Sequence, residues 1–411
     1  MSSLGENVKN YRRLQGWTQE QLAEATGASL GTVRIVEQGG NASVEMLNSF
    51  ARALGTTTSS LFATEVPSPI EVDSSEGPRL MELRRALMPP VGLSETIMET
   101  SQPVALSAIQ RDIDDQHALY RTDRYDSVAK KLPGILRAAE TAVATSETGE
   151  DEQRAKIVRA RALLLAGKYL TQVRRYDMAY HALSRGIQDA REVGVVQLAT
   201  NGVVGMGWLL LRQDRFDEAE QLAVRTADEV EPSMSKATPA QLAVWGELLQ
   251  RVASASIRNN RPDIAKEARR MATTAASALG REHMDFREHW GTFGPVTAET
   301  KAIEDLSLIG DARGVLNRAD EGPVGSKGLK KMGRPSPNNW DRHRLDVARA
   351  HVLLGAHQDA MDELSGIKAS APEWLKHQTM ARRVMRDILG SRKRTLTQDM
   401  REMAAHLGIS G

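Results

Sequence analysis

The sequence predicts an all-α protein: a small five-helix helix-turn-helix head followed by a long array of helical hairpins. Three observations predict it. Ala, Leu, Arg and Glu abound among the 411 residues while aromatics make up only 4 %, a balance that favours helix over sheet. The stretch Thr18–Gly39 reads as two short amphipathic helices joined around Gly27. From about Ala105 to His406 one helical pattern follows another, and similar turns recur between them.

In order, Leu4–Leu14 makes a first helix with Leu4, Val8 and Tyr11 on one face. Thr18 is a helix N-cap and Gln21, three residues later, completes a capping box. Leu22 and Ala23 point inward from this second helix, and Gly27 follows its end, where the chain needs positive φ. Ser29 caps a third helix with Val33 and Val36 buried and Thr32, Arg34 and Ile35 nearer solvent. Ser43–Leu54 makes a fourth helix with Met46, Leu47, Phe50 and Leu54 apolar, and Ser59–Phe62 a short final turn or helix. Two short helices about a glycine turn are the arrangement whose second helix enters the DNA major groove.

These residues resemble the Xre/Cro-like helix-turn-helix of lambdoid repressors and many bacterial regulators. The shared marks are Gln19, Leu22-Ala23, Gly27 and Glu37-Gln38-Gly39, within a resemblance that spans Leu4–Phe62. It implies double-stranded DNA as partner. By position in that motif, Leu30, Gly31, Thr32, Arg34, Ile35 and Gln38 make the DNA-facing set, with Gln19 on a phosphate. Arg12 and Glu37 stand where the family places an ion pair, which we read as fold support. Ile35 departs from the pattern, since a long polar residue is usual there; it suits a thymine methyl. Charge adds nothing: residues 1–63 carry five cations and five anions, and the whole chain is at +1.

The domains expected are a head at 1–63, a linker at 64–78 rich in Pro, Ser, Asp and Gly, and a repeat domain at 79–411. Leu80, Leu83 and Leu87 with Arg84-Arg85 form one amphipathic turn set, stopped by Pro89-Pro90; the Arg pair reads as a solvated face with DNA contact as the alternative. Beyond it, Arg174-Arg175-Tyr176-Asp177-Met178-Ala179 is echoed by Asp214-Arg215-Phe216-Asp217-Glu218-Ala219, by Asn260-Arg261-Pro262-Asp263-Ile264-Ala265 and by Gly355-Ala356-His357-Gln358-Asp359-Ala360. A blurred copy lies near Ile309–Val315. The units resemble tetratricopeptide repeats, a TPR-like α-solenoid, at a longer spacing than that family's 34 residues. Each hairpin buries its apolar stripe on the next, and the alanine admits a close helix neighbour. An Xre-like head on such an array resembles large regulators of actinobacteria and, distantly, peptide-sensing regulators of the Rap–Rgg type. The stretch Gly291–Pro295 looks like the actinobacterial version, and of it Pro295 alone has a physical reading, as the first residue of a helix.

Asn201, Gly205, Trp208 and Arg212 share one helix stripe, and Asn201, Trp208 and Arg212 are the candidate effector-binding residues, set against plain core packing. In the Rap–Rgg type an asparagine on an inner repeat helix holds a peptide backbone, which makes Asn201 its counterpart. The expected setting is a concave groove taking a peptide or small molecule. Gly202, Gly205 and Gly207 read as packing sites. Lys327, Lys330, Lys331 and Arg334 sit in a Gly/Pro-rich segment, Glu321–Asn338, that reads as a mobile solvated loop, with a phosphate contact as the alternative. The absence of cysteine excludes disulfides, thiolate zinc sites and cysteine nucleophiles. The nine histidines show no metal spacing and no phosphate loop occurs, so no cofactor and no enzymatic activity are expected. No apolar run reaches a membrane span and no secretory apolar core opens the chain, so a cytoplasmic protein is expected. The functional expectation is a sequence-specific transcription regulator, a homodimer on a palindromic operator, controlled through its repeats. The alternative is a DNA-tethered scaffold whose repeats dock a partner protein.

Overall fold

A computed structural model describes residues 4–14, 17–54, 56, 58–61, 78–90, 92–93, 104–283, 292–391 and 396–409. They are α-helical apart from turns, one 3₁₀ turn and an isolated antiparallel bridge between His283 and Phe293. Among the described residues no helix is long and apolar enough to cross a membrane. The chain divides into two compact units, Met1–Gly77 and Pro78–Gly411. Of the stretch 64–78, residues 64–77 lie outside the described residues, and Pro78 opens a helix.

The first unit has five helices: α1 (Leu4–Leu14), α2 (Gln19–Thr26), α3 (Leu30–Glu37), α4 (Val44–Ala53) and α5 (Thr58–Leu61). Local chemistry starts and stops them. Thr18 Oγ1 accepts from the Gln21 amide at 3.2 Å, and Gln21 Oε1 accepts from the Thr18 amide at 2.8 Å. Gly27 ends α2 at φ 67°, a conformation that disfavours any residue with a Cβ. Ser29 Oγ accepts from the Thr32 amide and Ser43 Oγ from the Met46 amide, opening α3 and α4. Val8, Leu22, Val33, Val36, Phe50 and Leu61 are fully buried together. Each such side chain contributes about 1.5–3 kcal/mol by leaving water. At Gly5 the α1 backbone nearly touches α3, since a Cβ there would stand 2.4 Å from the Val36 carbonyl oxygen. Asn7 Nδ2 donates to the Leu61 carbonyl and ties α5 back to α1.

The second unit begins with α6 (Pro78–Leu87), whose Leu83 and Leu87 are buried and whose Arg84 pairs with Asp177 at 2.9 Å. Three hairpins follow: α7 (Leu106–Arg121) with α8 (Tyr125–Ala144), α9 (Gly149–Gln172) with α10 (Tyr176–Glu192), and α11 (Val196–Arg212) with α12 (Phe216–Glu229). Next come α13 (Pro239–Arg258) with α14 (Pro262–Leu279), and α15 (Pro295–Ile309) with α16 (Ala312–Arg318). After a 3₁₀ turn at Gly322–Val324 and α17 (Ser326–Met332), the last hairpin is α18 (Pro337–Leu353) with α19 (His357–Ser370). The described residues end with α20 (Pro372–Leu375), α21 (Thr379–Ser391) and α22 (Gln398–His406).

One turn geometry joins the two helices of every hairpin. Asp123, Arg174, Asp214, Asn260, Gly310 and Gly355 all take positive φ, between 56° and 82°. The next residue's amide reaches back to the last turn of the first helix, as Arg175 does to Leu170, Arg215 to Leu210 and Ala356 to His351. Five residues after each left-handed residue sits a buried small or branched side chain: Val128, Ala179, Ala219, Ala265, Val315 or Ala360. Five of these turns were legible as repeats. The sixth, Asp123-Arg124-Tyr125-Asp126, carries Val128 where the others have the alanine or its blurred copy.

Two sequence expectations are corrected here. The segment Glu321–Asn338 is no solvated loop. It folds into the 3₁₀ turn and α17, because Val324 is buried with Val296, Ile303 and Val315, and Leu329 and Met332 pack on that cluster. Lys327, Lys330, Lys331 and Arg334 remain exposed on it. Nor is the array an open groove. Asp123 Oδ2 accepts from the Glu373 amide at 2.7 Å, in the first turn of α20, and Glu373 Oε2 accepts from the Asp126 amide at 3.0 Å, in the first turn of α8. Arg124 and Ala371, the residues at those N-caps, make no side-chain cap of their own. Each carboxylate thus caps the other's helix and satisfies an amide otherwise orphaned. The end of the array is thereby fastened to its first hairpin.

Candidate nucleic-acid interface and a cationic cavity

On the first unit, α3 presents a distinct outer face. Val33 and Val36 anchor it in the core while Gly31, Arg34, Ile35 and Gln38 are exposed and Leu30 and Thr32 half-buried. Ile35 is 57 % exposed, an uncommon setting for an isoleucine in so small a core. The end of α3 is held by a buried pair. Arg12 Nε donates to Glu37 Oε1 at 2.6 Å and its Nη2 to Oε2 at 3.1 Å, while Nη1 donates to the Trp17 carbonyl at 2.7 Å. Gln19 Nε2 donates to the same carboxylate at 2.7 Å, so Gln19 braces the pair and keeps its Oε1 and a second amide hydrogen for other partners. Burial opposes ionising Glu37, but the hydrogen bonds from Arg12 and Gln19 outweigh it and hold its pKa below the ordinary value. The pair therefore locks α1, the start of α2 and the end of α3 into one rigid body.

Two helices about a tight glycine turn, with a buried brace and an exposed outer face on the second, have the geometry of a helix-turn-helix. Residues 8–61 match the Helix-turn-helix family. The first unit thus carries an Xre-type helix-turn-helix domain, the DNA-binding module of transcription regulators. No curated protein matches the chain.

In the second unit the first helices of all six hairpins converge on one partly open cavity. Tyr120 comes from α7, Gln172 from α9, Trp208 from α11, Gln250 and Arg251 from α13, Lys301 from α15 and Arg342 from α18. The space amounts to about 50 Å³, enough for a few waters or one small ion. Phe293 closes one side, and it fits because α13 has Gly246 there: a Cβ at 246 would lie 2.1 Å from the ring. This gives the stretch from Thr292 to Pro295 its physical reading. Thr292 Oγ1 accepts from the Ser336 amide, Phe293 fills the wall and Pro295 begins α15.

The lining is cationic. The charged ends of Arg342, Arg212, Arg251 and Lys301 stand 4.6, 4.9, 5.0 and 5.9 Å from the centre of the Trp208 ring. Lys301 is paired with Glu304 at 2.6 Å, and Arg258 takes the same carboxylate at 2.8 Å. Burial, and after it the neighbouring arginines, pull the cations down, Arg251 to about 10 in spite of Glu247 and Glu304, and Lys301 to about 8 in spite of Glu304. Of the expected effector residues, Trp208 lines the cavity. Arg212 packs on the Trp208 ring and donates to Gln378 Oε1 at 3.3 Å. Asn201 is fully buried and lies outside the lining. The stripe does not line a groove as three residues together.

Sequence reasoning missed Gln250, Arg251, Lys301 and Arg342. The signal for them lies in register. Counted back from each left-handed turn residue, Glu247, Thr297 and Arg342 share one offset, thirteen, and Arg251 and Lys301 share another, nine. These offsets fall on one helical face.

Asp346 on α18 adds a pH-dependent feature. Burial, then Glu304, push its carboxyl up to about 7, against Ser307, Lys301 and Arg342. A carboxyl raised in the fold contributes stability that is full below its ordinary value and is lost as pH rises through the folded value. Asp346→Asn is therefore expected to match the wild type below about pH 4, to gain on it progressively from there, and to level off above about pH 7. Urea midpoints across that range check the expectation; a constant difference contradicts it.

Proposed function

We propose that the protein is a sequence-specific transcription regulator that binds a palindromic operator as a homodimer and is controlled through its tetratricopeptide-like repeat unit. The observation that carries the reading is the braced helix-turn-helix with its exposed α3 face. Leu30, Gly31, Thr32, Arg34, Ile35 and Gln38 are the groove-facing set, and Gln19 sits at the phosphate side of α2. Dimerisation follows from charge: a head with equal numbers of cations and anions makes few phosphate contacts, and two heads on two half-sites multiply affinity. Control is assigned to the repeat unit through Trp208 and Arg212, with Asn201, fully buried on the same helix, as the third candidate. Closure of the array supports a small ligand over a docked protein, because the inner face is fastened shut at Asp123 and Glu373. A ligand acts here only by its differential affinity for two shapes of the array, typically about 1–3 kcal/mol.

Arg34→Ala tests the readout. If Arg34 pairs with a guanine edge, the variant loses about 1–3 kcal/mol on the operator and little on random DNA. Equal losses on both make Arg34 a phosphate contact. Light scattering of the full-length protein with and without operator DNA checks the dimer; a monomer in both conditions rejects it.

A further inference from the structure

The cavity among the six first helices holds more positive charge than its carboxylates answer. Glu304 is already shared by Lys301 and Arg258, and Glu247, which also lines the cavity, offsets part of the charge of Arg251 alone. Arg212, Arg251 and Arg342 form no ion pair among the described residues, although all three charged ends stand within about 5 Å of one indole centre. Arg342 makes no hydrogen bond among the described residues either. Like charges this close repel strongly away from bulk water, and isolated buried charges are normally paired. The aromatic face offsets part of this, but three guanidiniums share a single ring. A second, independent mark of a missing partner is Gln250. It is only 3 % exposed, lines the same cavity, and neither its Nε2 nor its Oε1 has a hydrogen-bond partner among the described residues. Buried amides are nearly always satisfied.

We propose that this cavity is a binding site for a small oxyanion group, a phosphate or a carboxylate carried by a metabolite-sized ligand. Arg251, Lys301 and Arg342 face the anion, and Gln250 donates to it through Nε2. Guanidiniums suit such a group because their planar N–H pairs match two oxygens at once. The size agrees, since about 50 Å³ admits one phosphate or carboxylate and excludes a folded segment. Burial first, and the neighbouring arginines after it, depress the pKa values of Arg251 and Lys301, and an anion raises them again. Because each of the six first helices contributes to the wall, an anion at the centre couples all six hairpins. The inference thus gives a chemical class to the ligand through which we propose the repeat unit is controlled.

The test uses the full-length protein without DNA. Thermal unfolding is followed in sodium phosphate, sodium succinate and sodium chloride at matched ionic strength, for the wild type, Arg342→Gln and Arg251→Gln. The expected result is a saturable rise of the repeat unit's midpoint in phosphate or succinate beyond that in chloride, with apparent affinity falling at least tenfold in either variant. Phosphate acting more strongly assigns a phosphoryl group, and succinate acting more strongly a carboxylate. If one variant does not fold, the other carries the comparison. The proposal is overturned if neither anion exceeds chloride, or if the rise is the same in the wild type and a folded variant. Since no DNA is present, such a failure leaves the DNA-binding reading standing, and loss of operator binding leaves this site standing.

Discussion

Arg12→Ala is expected to unfold the head while leaving the repeat unit folded. The Glu37 side chain is 3 % exposed and the variant takes away three of the hydrogen bonds in its brace. Removing one partner of a buried pair strands the other charge, at a cost of about 3–5 kcal/mol. A domain of some sixty residues has only about 3–9 kcal/mol of stability in total. Gln19 alone cannot answer a full carboxylate, because one neutral amide hydrogen bond contributes about 1 kcal/mol net. Hydrogen exchange by mass spectrometry on the full chain reads the result: amides of α1 and α3 lose protection, those of α9 to α14 keep it. Replacing both partners, Arg12→Met with Glu37→Leu, is expected to cost less than the single change. The same pair sets a pH limit. Glu37 is held below its ordinary pKa, so its contribution is complete above about pH 5 and is lost as acid protonates it through the lower folded value. A loss below 1 kcal/mol for Arg12→Ala contradicts the bracing role.

Trp374→Ala is the second large effect. Trp374 is fully buried in α20, next to Glu373, which fastens the array to its first hairpin, and the guanidinium of Arg342 lies 5.8 Å from its ring. Truncating a buried tryptophan costs about 3–5 kcal/mol through lost burial and the cavity left behind. One term opposes this. The indole Nε1 is buried without a hydrogen-bond partner, and its removal relieves a penalty of about 1–3 kcal/mol. The net expectation is therefore about 2 kcal/mol, with Trp374→Phe close to neutral. The position matters as much as the size. Freed from α20, the α7–α8 turn around Asp123 is expected to gain exchange before the middle hairpins do. Uniform loss of protection across the unit contradicts the fastening role.

Much of the head was legible because its determinants are local. Thr18, Gln21, Gly27, Ser29 and Ser43 act within three residues of themselves, and the structure places each cap where the sequence puts it. The repeats were legible for a related reason: one left-handed turn and one small residue five positions on form a short pattern. The hairpin at Asp123 escaped because Val128 replaces the alanine, although Arg124-Tyr125-Asp126 repeats Arg175-Tyr176-Asp177. Long-range features were not legible. The helix Ser326–Met332 holds Gly328, flanked by Gly325 and Gly333, a composition that argues against helix, and only packing of Leu329 and Met332 on Val296 and Val315 pays for it. Closure through Glu373 and Asp123 joins residues 250 apart in sequence. The cavity needs side chains from six helices at once, and Arg342 is separated from Trp208 by three hairpin turns. A single-helix stripe therefore found Trp208 and Arg212 and none of the cations opposite.

The most direct test of the whole account is selection of DNA from a random pool by the full-length protein, with Arg34→Ala in parallel. The account predicts enrichment of one inverted repeat, its half-sites a whole number of helical turns apart, and a relaxed preference at one position of each half-site for the variant. Retained DNA with no common sequence, or the same motif at the same strength from the variant, contradicts a sequence-reading role for the exposed face of α3.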